Sequence, residues 1–225
     1  MRALICIVLA TVLFSCERTK MDKTLPAGSF DTKPIAKPDY GKDRDLDKDG
    51  YLQYVTDRSN GLVIDKEIGD VQYTLFFKPL EYLAIKNMGD QTDKSRVIEE
   101  VESLKDLQYY NFKIAIKNFN QEILKYKLGS EQEYTDRVSY LAFGMQQDIR
   151  LVEGLDTLPC ALFHFERNYG VAPNANFVLA FEKSKSEKMI YSRTLMFEDK
   201  IFGTGKVNMT IEKESIAQLP GLNIN

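Results

Sequence analysis

IRLVEGLDTLPCALFHFERNYGVAPNANFVLAFEKSKSEKMIYSRTLMFEDKIFGTGKVNMTI, residues 149 to 211, decides the fold class. Five short runs rich in branched and aromatic side chains, Ile149 to Val152, Cys160 to Arg167, Phe177 to Phe181, Ile190 to Phe197 and Val207 to Ile211, alternate with clusters of Gly, Pro, Asn and Asp. The first kind of residue suits a pleated strand and the second kind suits a turn. The gaps are too short for the dozen or more residues that a parallel crossover requires, so the runs are expected to pair as antiparallel hairpins and meanders.

Working upstream, Val71, Tyr73, Leu75 and Phe77 alternate with Gln72, Thr74 and Lys78, which predicts a strand with one buried face. Phe112, Ile114 and Ile116 do the same against Lys113 and Lys117. Helical spacing appears three times. Pro79 opens a short stretch through Leu83 and Ile85. Val97, Ile98, Val101 and Leu104 form a stripe behind Thr92 or Asp93 as cap, predicting a helix over residues 93–106. Ser130 and Glu133 fit a capping box ahead of Tyr134, Val138, Leu141 and Met145. Together these predict an α+β fold: a single domain, mainly antiparallel β-sheet, with about three helices packed on one face or end.

The packed pattern begins at Tyr51, so residues 51–225 are expected to form the globular domain. Residues 17–50 carry Pro26, Pro34 and Pro38, many lysines, and neither helical nor strand periodicity. They read as a flexible tether. Fully extended, it reaches on the order of 100 Å at about 3.3 Å per residue. The chain as a whole has a hydrophobic fraction of 44%, enough for an ordinary core, and a net charge of −3, which argues against nucleic acid as a partner.

The first residues read differently. Met1 and Arg2 precede an uncharged apolar run from Ala3 to Phe14, too short to span a bilayer and suited to the h-region of a signal peptide. It ends Leu13-Phe14-Ser15-Cys16: an aliphatic residue, two tolerant positions of which the second is small, and a cysteine. This resembles the lipobox of bacterial lipoproteins of the signal peptidase II type. The resemblance implies that residues 1–15 are a signal peptide and that residues 16–50 are the lipidated cysteine and its tether. Cys16 would receive a diacylglyceryl group on its thiol and a further acyl chain, of the palmitate kind, on its freed amine. Each chain contributes about 0.8 kcal/mol per buried methylene, so several hold a protein on a membrane where one does not. Glu17 in place of Asp, by resemblance to the sorting rule of enteric bacteria, implies the outer membrane of a Gram-negative cell envelope. With Cys6 lost and Cys16 acylated, Cys160 stands alone in an oxidising compartment and is expected to be a small buried apolar residue.

Two constellations point to chemistry. Asp45-Leu46-Asp47-Lys48-Asp49-Gly50 sets carboxylates at alternate positions with a glycine sixth, as in the first half of an EF-hand-type loop. Asp45, Asp47, Asp49 and the backbone carbonyl of Tyr51 would be oxygen ligands for Ca²⁺. The twelfth position is Thr56, where that pattern has a bidentate Glu. The second constellation is Phe163-His164-Phe165-Glu166-Arg167 and the polar loop after it, with Tyr169 at its centre. Strand alternation places His164 on one face with Cys160, Leu162 and Glu166, with Cys160 about 13 Å away. A His–Glu pair suits a general base with its orienting carboxylate, or a binding surface that Arg167 and Tyr169 extend toward a partner. Walker, dinucleotide, nucleophile-elbow and zinc-protease signatures are absent from the sequence.

The expected function is therefore a noncatalytic binding or accessory component of the envelope, held to the bilayer by Cys16 and facing an envelope protein or a glycan. The alternatives are a hydrolase acting on envelope or imported polymers, and a calcium-dependent binding module built on residues 45–50.

Overall fold

The computed structural model describes residues 30–36, 44–89, 93–168, 170–184 and 189–224. In chain order the elements are β1 (Ile35–Ala36), α1 (Lys48–Thr56), β2 (Val63–Ile68), β3 (Val71–Lys78), α2 (Leu80–Met88), α3 (Lys94–Leu104), β4 (Leu107–Ile116), α4 (Glu131–Ser139), β5 (Ile149–Glu153), β6 (Asp156–Glu166), β7 (Asn174–Glu182), β8 (Met189–Ile190), β9 (Arg193–Asp199), β10 (Gly205–Ile211) and α5 (Lys213–Ala217).

Among the described residues, eight of these strands form one sheet in the order β10-β9-β5-β6-β7-β4-β3-β2, antiparallel at each pairing. The fold is thus a single α+β domain on a mainly antiparallel sheet, as the short strand spacings predict. The sheet curls until its edge strands lie against each other, with Lys66 Nζ of β2 donating to Asn208 O of β10 at 2.9 Å.

Strand alternation supplies the interior. Tyr73 and Leu75 of β3, Tyr110 and Phe112 of β4, Phe177 and Leu179 of β7, Leu195 of β9 and Ile211 of β10 are all buried. Phe112 meets Tyr73 and Phe177 on neighbouring strands at centroid distances of 5.9 and 6.1 Å, and Phe197 of β9 at 5.6 Å. β4 and β9 are not neighbours in the sheet, so this last contact crosses the interior and marks its closure.

Closure leaves two ends to cover, and the helices divide between them. α1 leads into β2, α2 follows β3, α3 precedes β4 and α5 follows β10, which are strand termini at one end of the sheet. Tyr51 and Val55 of α1 and Tyr82 and Ile85 of α2 join the core there. The other end is covered by the segment between β4 and β5, through Ile123, Leu124, Leu141 and Met145. The capping residues work as the spacing predicts: Asp93 accepts from Arg96 N at 3.0 Å and Ser130 from Glu133 N at 3.1 Å. Past Ser139 the helix loosens into a π turn over Tyr140–Gly144 and then tightens into a 3-10 turn over Met145–Asp148. Arg137 ties α4 to the neighbouring turn by donating to Leu124 O and Tyr126 O at 2.9 and 2.6 Å.

Residues ahead of the composition shift at Tyr51 already take part in the fold. Ile35–Ala36 pairs with β8, and Leu46 bridges Leu222 in parallel, with Leu46 N donating to Gly221 O at 2.9 Å. Residues 44–50 therefore pack with the domain expected to begin at Tyr51.

Because Phe112 sits at the crossing of three aromatic contacts, Phe112→Ala is expected to cost about 3–5 kcal/mol of stability, read by urea unfolding. A loss below about 1 kcal/mol, on the scale of ordinary surface substitutions, would mean that the interior is not closed as described.

Candidate interaction site

Strand β6 changes neighbours half-way along its length. From Asp156 to Pro159 it pairs with β5, and from Cys160 to Glu166 it pairs with β7. Between Cys160, opposite Phe181, and Leu162, opposite Ala180, the register slips by one residue, so Ala161 is a β-bulge. The bulge corrects the expected face of Cys160. A one-residue insertion reverses alternation, which turns Cys160 inward beside Phe181 while Leu162, His164 and Glu166 face out. Cys160 Sγ donates to Leu162 O at 3.0 Å, and burial pushes its thiol up to about 11. Cys160 and His164 thus stand on opposite faces of the sheet and form no dyad.

His164 and Glu166 share the outer face, as their spacing predicts, and both are exposed. Register carries this face across three more strands. His164 lies opposite Val178, then Asn111, then Phe76; Leu162 lies opposite Ala180, then Tyr109, then Lys78; Glu166 lies opposite Asn176, then Lys113, then Thr74. Burial holds the Lys78 amine below its usual range, with Glu166 acting in the opposite direction. The Oδ1 atoms of Asn111 and of Asn174 are buried without a hydrogen-bond partner among the described residues. Arg167 follows directly at the end of β6, and Tyr169 lies outside the described residues.

The acidic run at residues 45–50 is wound differently from an EF-hand-type loop. Lys48–Thr56 is helical, so the positions that should wrap round an ion are wound into α1. Asp47 is the N-cap, accepting from Gly50 N at 2.8 Å. Asp49 lies in the first helical turn. Asp45 packs against Gly221, and Tyr51 is buried inside the helix with its hydroxyl 3.5 Å from Glu81 Oε2. The structure therefore does not bring Asp45, Asp47, Asp49 and the Tyr51 carbonyl into one shell. No group of three or more His, Cys, Asp or Glu able to hold a metal occurs among the described residues.

One polar cluster escaped the sequence reading. Glu153 of β5 and Arg193 of β9 are directly opposite each other and face the interior at the end that α1 and α2 cover. Arg193 Nε donates to Glu153 Oε1 at 3.1 Å, Gln108 Nε2 donates to Glu153 Oε2 at 2.9 Å, and Tyr110 OH donates to Gln108 Oε1 at 2.7 Å. The guanidinium also stacks 4.7 Å over the Phe77 ring. Burial works against the charge on Arg193, yet Tyr110 and Glu153 hold its pKa above the ordinary value. The two charges answer each other, and the cluster acts as an internal brace. Its sequence signal was parity: Glu153 follows Ile149 and Leu151 at strand spacing, and Arg193 precedes Leu195 and Phe197.

No protein-family profile and no curated protein matches the chain. Among solved structures, the chain is similar to a DUF4426 family protein from Pseudomonas aeruginosa PAO1, at 10% sequence identity and a TM-score of 0.31, over 66% of this chain and 90% of that one.

Two measurements check these assignments. Arg193→Met alone leaves Glu153 buried and unpaired and is expected to cost about 3–5 kcal/mol, whereas Arg193→Met with Glu153→Leu recovers most of the loss. Equal losses in the single and double variants would remove the brace. Asp47→Ala should cost about 1 kcal/mol through the lost cap, by the same amount with and without millimolar calcium. A penalty that appears only with calcium would reinstate a metal loop.

Proposed function

We propose that this chain is a lipid-anchored protein of the bacterial envelope, attached to the outer membrane through acylated Cys16, and that it works by binding a partner rather than by turning over a substrate. The observation that carries the binding reading is the filled interior. Tyr73, Phe112, Phe177 and Phe197 occupy the space that an internal small-molecule site would use, and the buried charges there are paired with each other. Recognition then falls to the outside of the sheet, where Leu162, His164 and Glu166 stand exposed on a rigid strand. The net charge of −3 disfavours the phosphate backbone of nucleic acid, and an envelope protein or glycan is the partner class that an anchored domain meets.

The anchor has a direct test. Cys16→Ala should abolish metabolic labelling by fatty acid and move the protein from the membrane fraction to the soluble one. Labelling that survives the substitution would end the proposal of a Cys16 anchor.

A further inference from the structure

We infer that the edge of β6 from Ala161 to Glu166, which among the described residues pairs with no strand besides β7, is a docking site for an extended segment of a partner protein, which would join the sheet as an added strand; this rests on the binding role proposed above. The ladder between β5 and β6 stops at Pro159, opposite Arg150. Beyond that point the chain before β5 leaves the ladder and winds through Met145–Asp148 beside the start of this stretch, where Gln146 Nε2 takes up Cys160 O at 2.9 Å. Backbone groups of a strand point alternately to its two sides, so about half of the N–H and C=O groups from Ala161 to Glu166 face away from β7. Among the described residues, no backbone group outside β7 is bonded to them. The occupant that such an edge calls for is another strand, because only extended backbone presents donors and acceptors at the matching repeat.

The side chains narrow the partner's chemistry. Natural edges are guarded by lysine, proline or charge. The other half of β6 has such a guard in Pro159, which cannot donate a hydrogen bond. Ala161 to Glu166 contains neither lysine nor proline, and its one carboxylate, Glu166, stands at the far end of the stretch. Leu162 is 41% exposed, and Phe143, on the π turn packed beside β6, is 79% exposed. An incoming strand therefore meets apolar surface at Leu162 and a carboxylate at Glu166. It fits an extended segment with an apolar residue opposite Leu162 and a Lys or Arg opposite Glu166.

The test uses the purified full chain and a random peptide library displayed on phage, with the selected peptides then made free and titrated. Selected sequences should alternate apolar and polar residues with a basic position, and should slow amide exchange at residues 161–166. Leu162→Lys should weaken them at least about tenfold with the melting temperature preserved. Glu166→Lys, which leaves Leu162 intact, should switch the selected basic position to an acidic one. Peptides that instead protect the surface groove lined by Val97, Ile98 and Val101 of α3 and by Leu222, and ignore both substitutions, would overturn the edge and leave the binding role standing. A dimer in light scattering that Leu162→Lys abolishes would give the edge to a second copy and overturn the partner segment. If no peptide is selected, the edge assignment falls. If an array of envelope glycans also fails to bind, the binding role falls with it.

Discussion

The contact of Phe112 with Phe197 across the interior is the constraint on which the rest of this molecule turns. It goes with the curling of a sheet of eight antiparallel strands until its edges meet, and the aromatic residues of β3, β4, β7 and β9 fill the enclosed space. Closure decides where the helices go. A curled sheet has two open ends instead of one broad face, so α1, α2, α3 and α5 gather at one and the segment through α4 at the other. It also decides how charge is tolerated inside. Arg193 and Glu153 point inward because their strands alternate, and they persist there only because Gln108, Tyr110 and the Phe77 ring surround them with partners.

The second constraint is the bulge at Ala161. With it, β6 serves β5 in its first half and β7 in its second, which lets the sheet bend between its two groups of strands. The same extra residue turns Cys160 into the core and leaves His164 outside. One local irregularity thus separates two residues that simple alternation would join and removes a nucleophile-and-base reading. Asp199 plays a comparable role at the far end of the sheet. It accepts from Ile201 N, Phe202 N and Thr204 N, each at 2.9 Å, and so shapes the β9–β10 turn from inside.

Much of the fold was legible before any coordinates, and the reason is local. The period-two pattern of Val71, Tyr73, Leu75 and Phe77, and the caps at Asp93 and Ser130, depend on residues a few positions apart, so the sequence shows them directly. The acidic run at residues 45–50 reads two ways because the same carboxylate spacing serves two purposes. Asp47 can be the third position of a calcium loop or the cap of a helix; here it caps α1, beside the bridge of Leu46 to Leu222 from the far end of the chain. Ile98 belongs to the apolar stripe of α3 by spacing, yet it is exposed, because helix periodicity says which residues share a face and not how much of that face is covered.

By itself the sequence determined the class of this protein: strands at short spacing, hence antiparallel pairing; helices where the caps stand; and an N-terminal lipobox pattern whose consequence is a proposed anchor at Cys16. The tertiary structure alone decided that the sheet curls round until its edge strands touch, that Glu153 meets Arg193, that Cys160 and His164 part company, and that, among the described residues, Ala161 to Glu166 pairs with β7 alone. Each of these depends on register between strands far apart in the chain, and a register shift of one residue reverses every side chain beyond it. Alternation is written in the sequence, but the place where it is interrupted is set by the packing of the two neighbours that β6 joins.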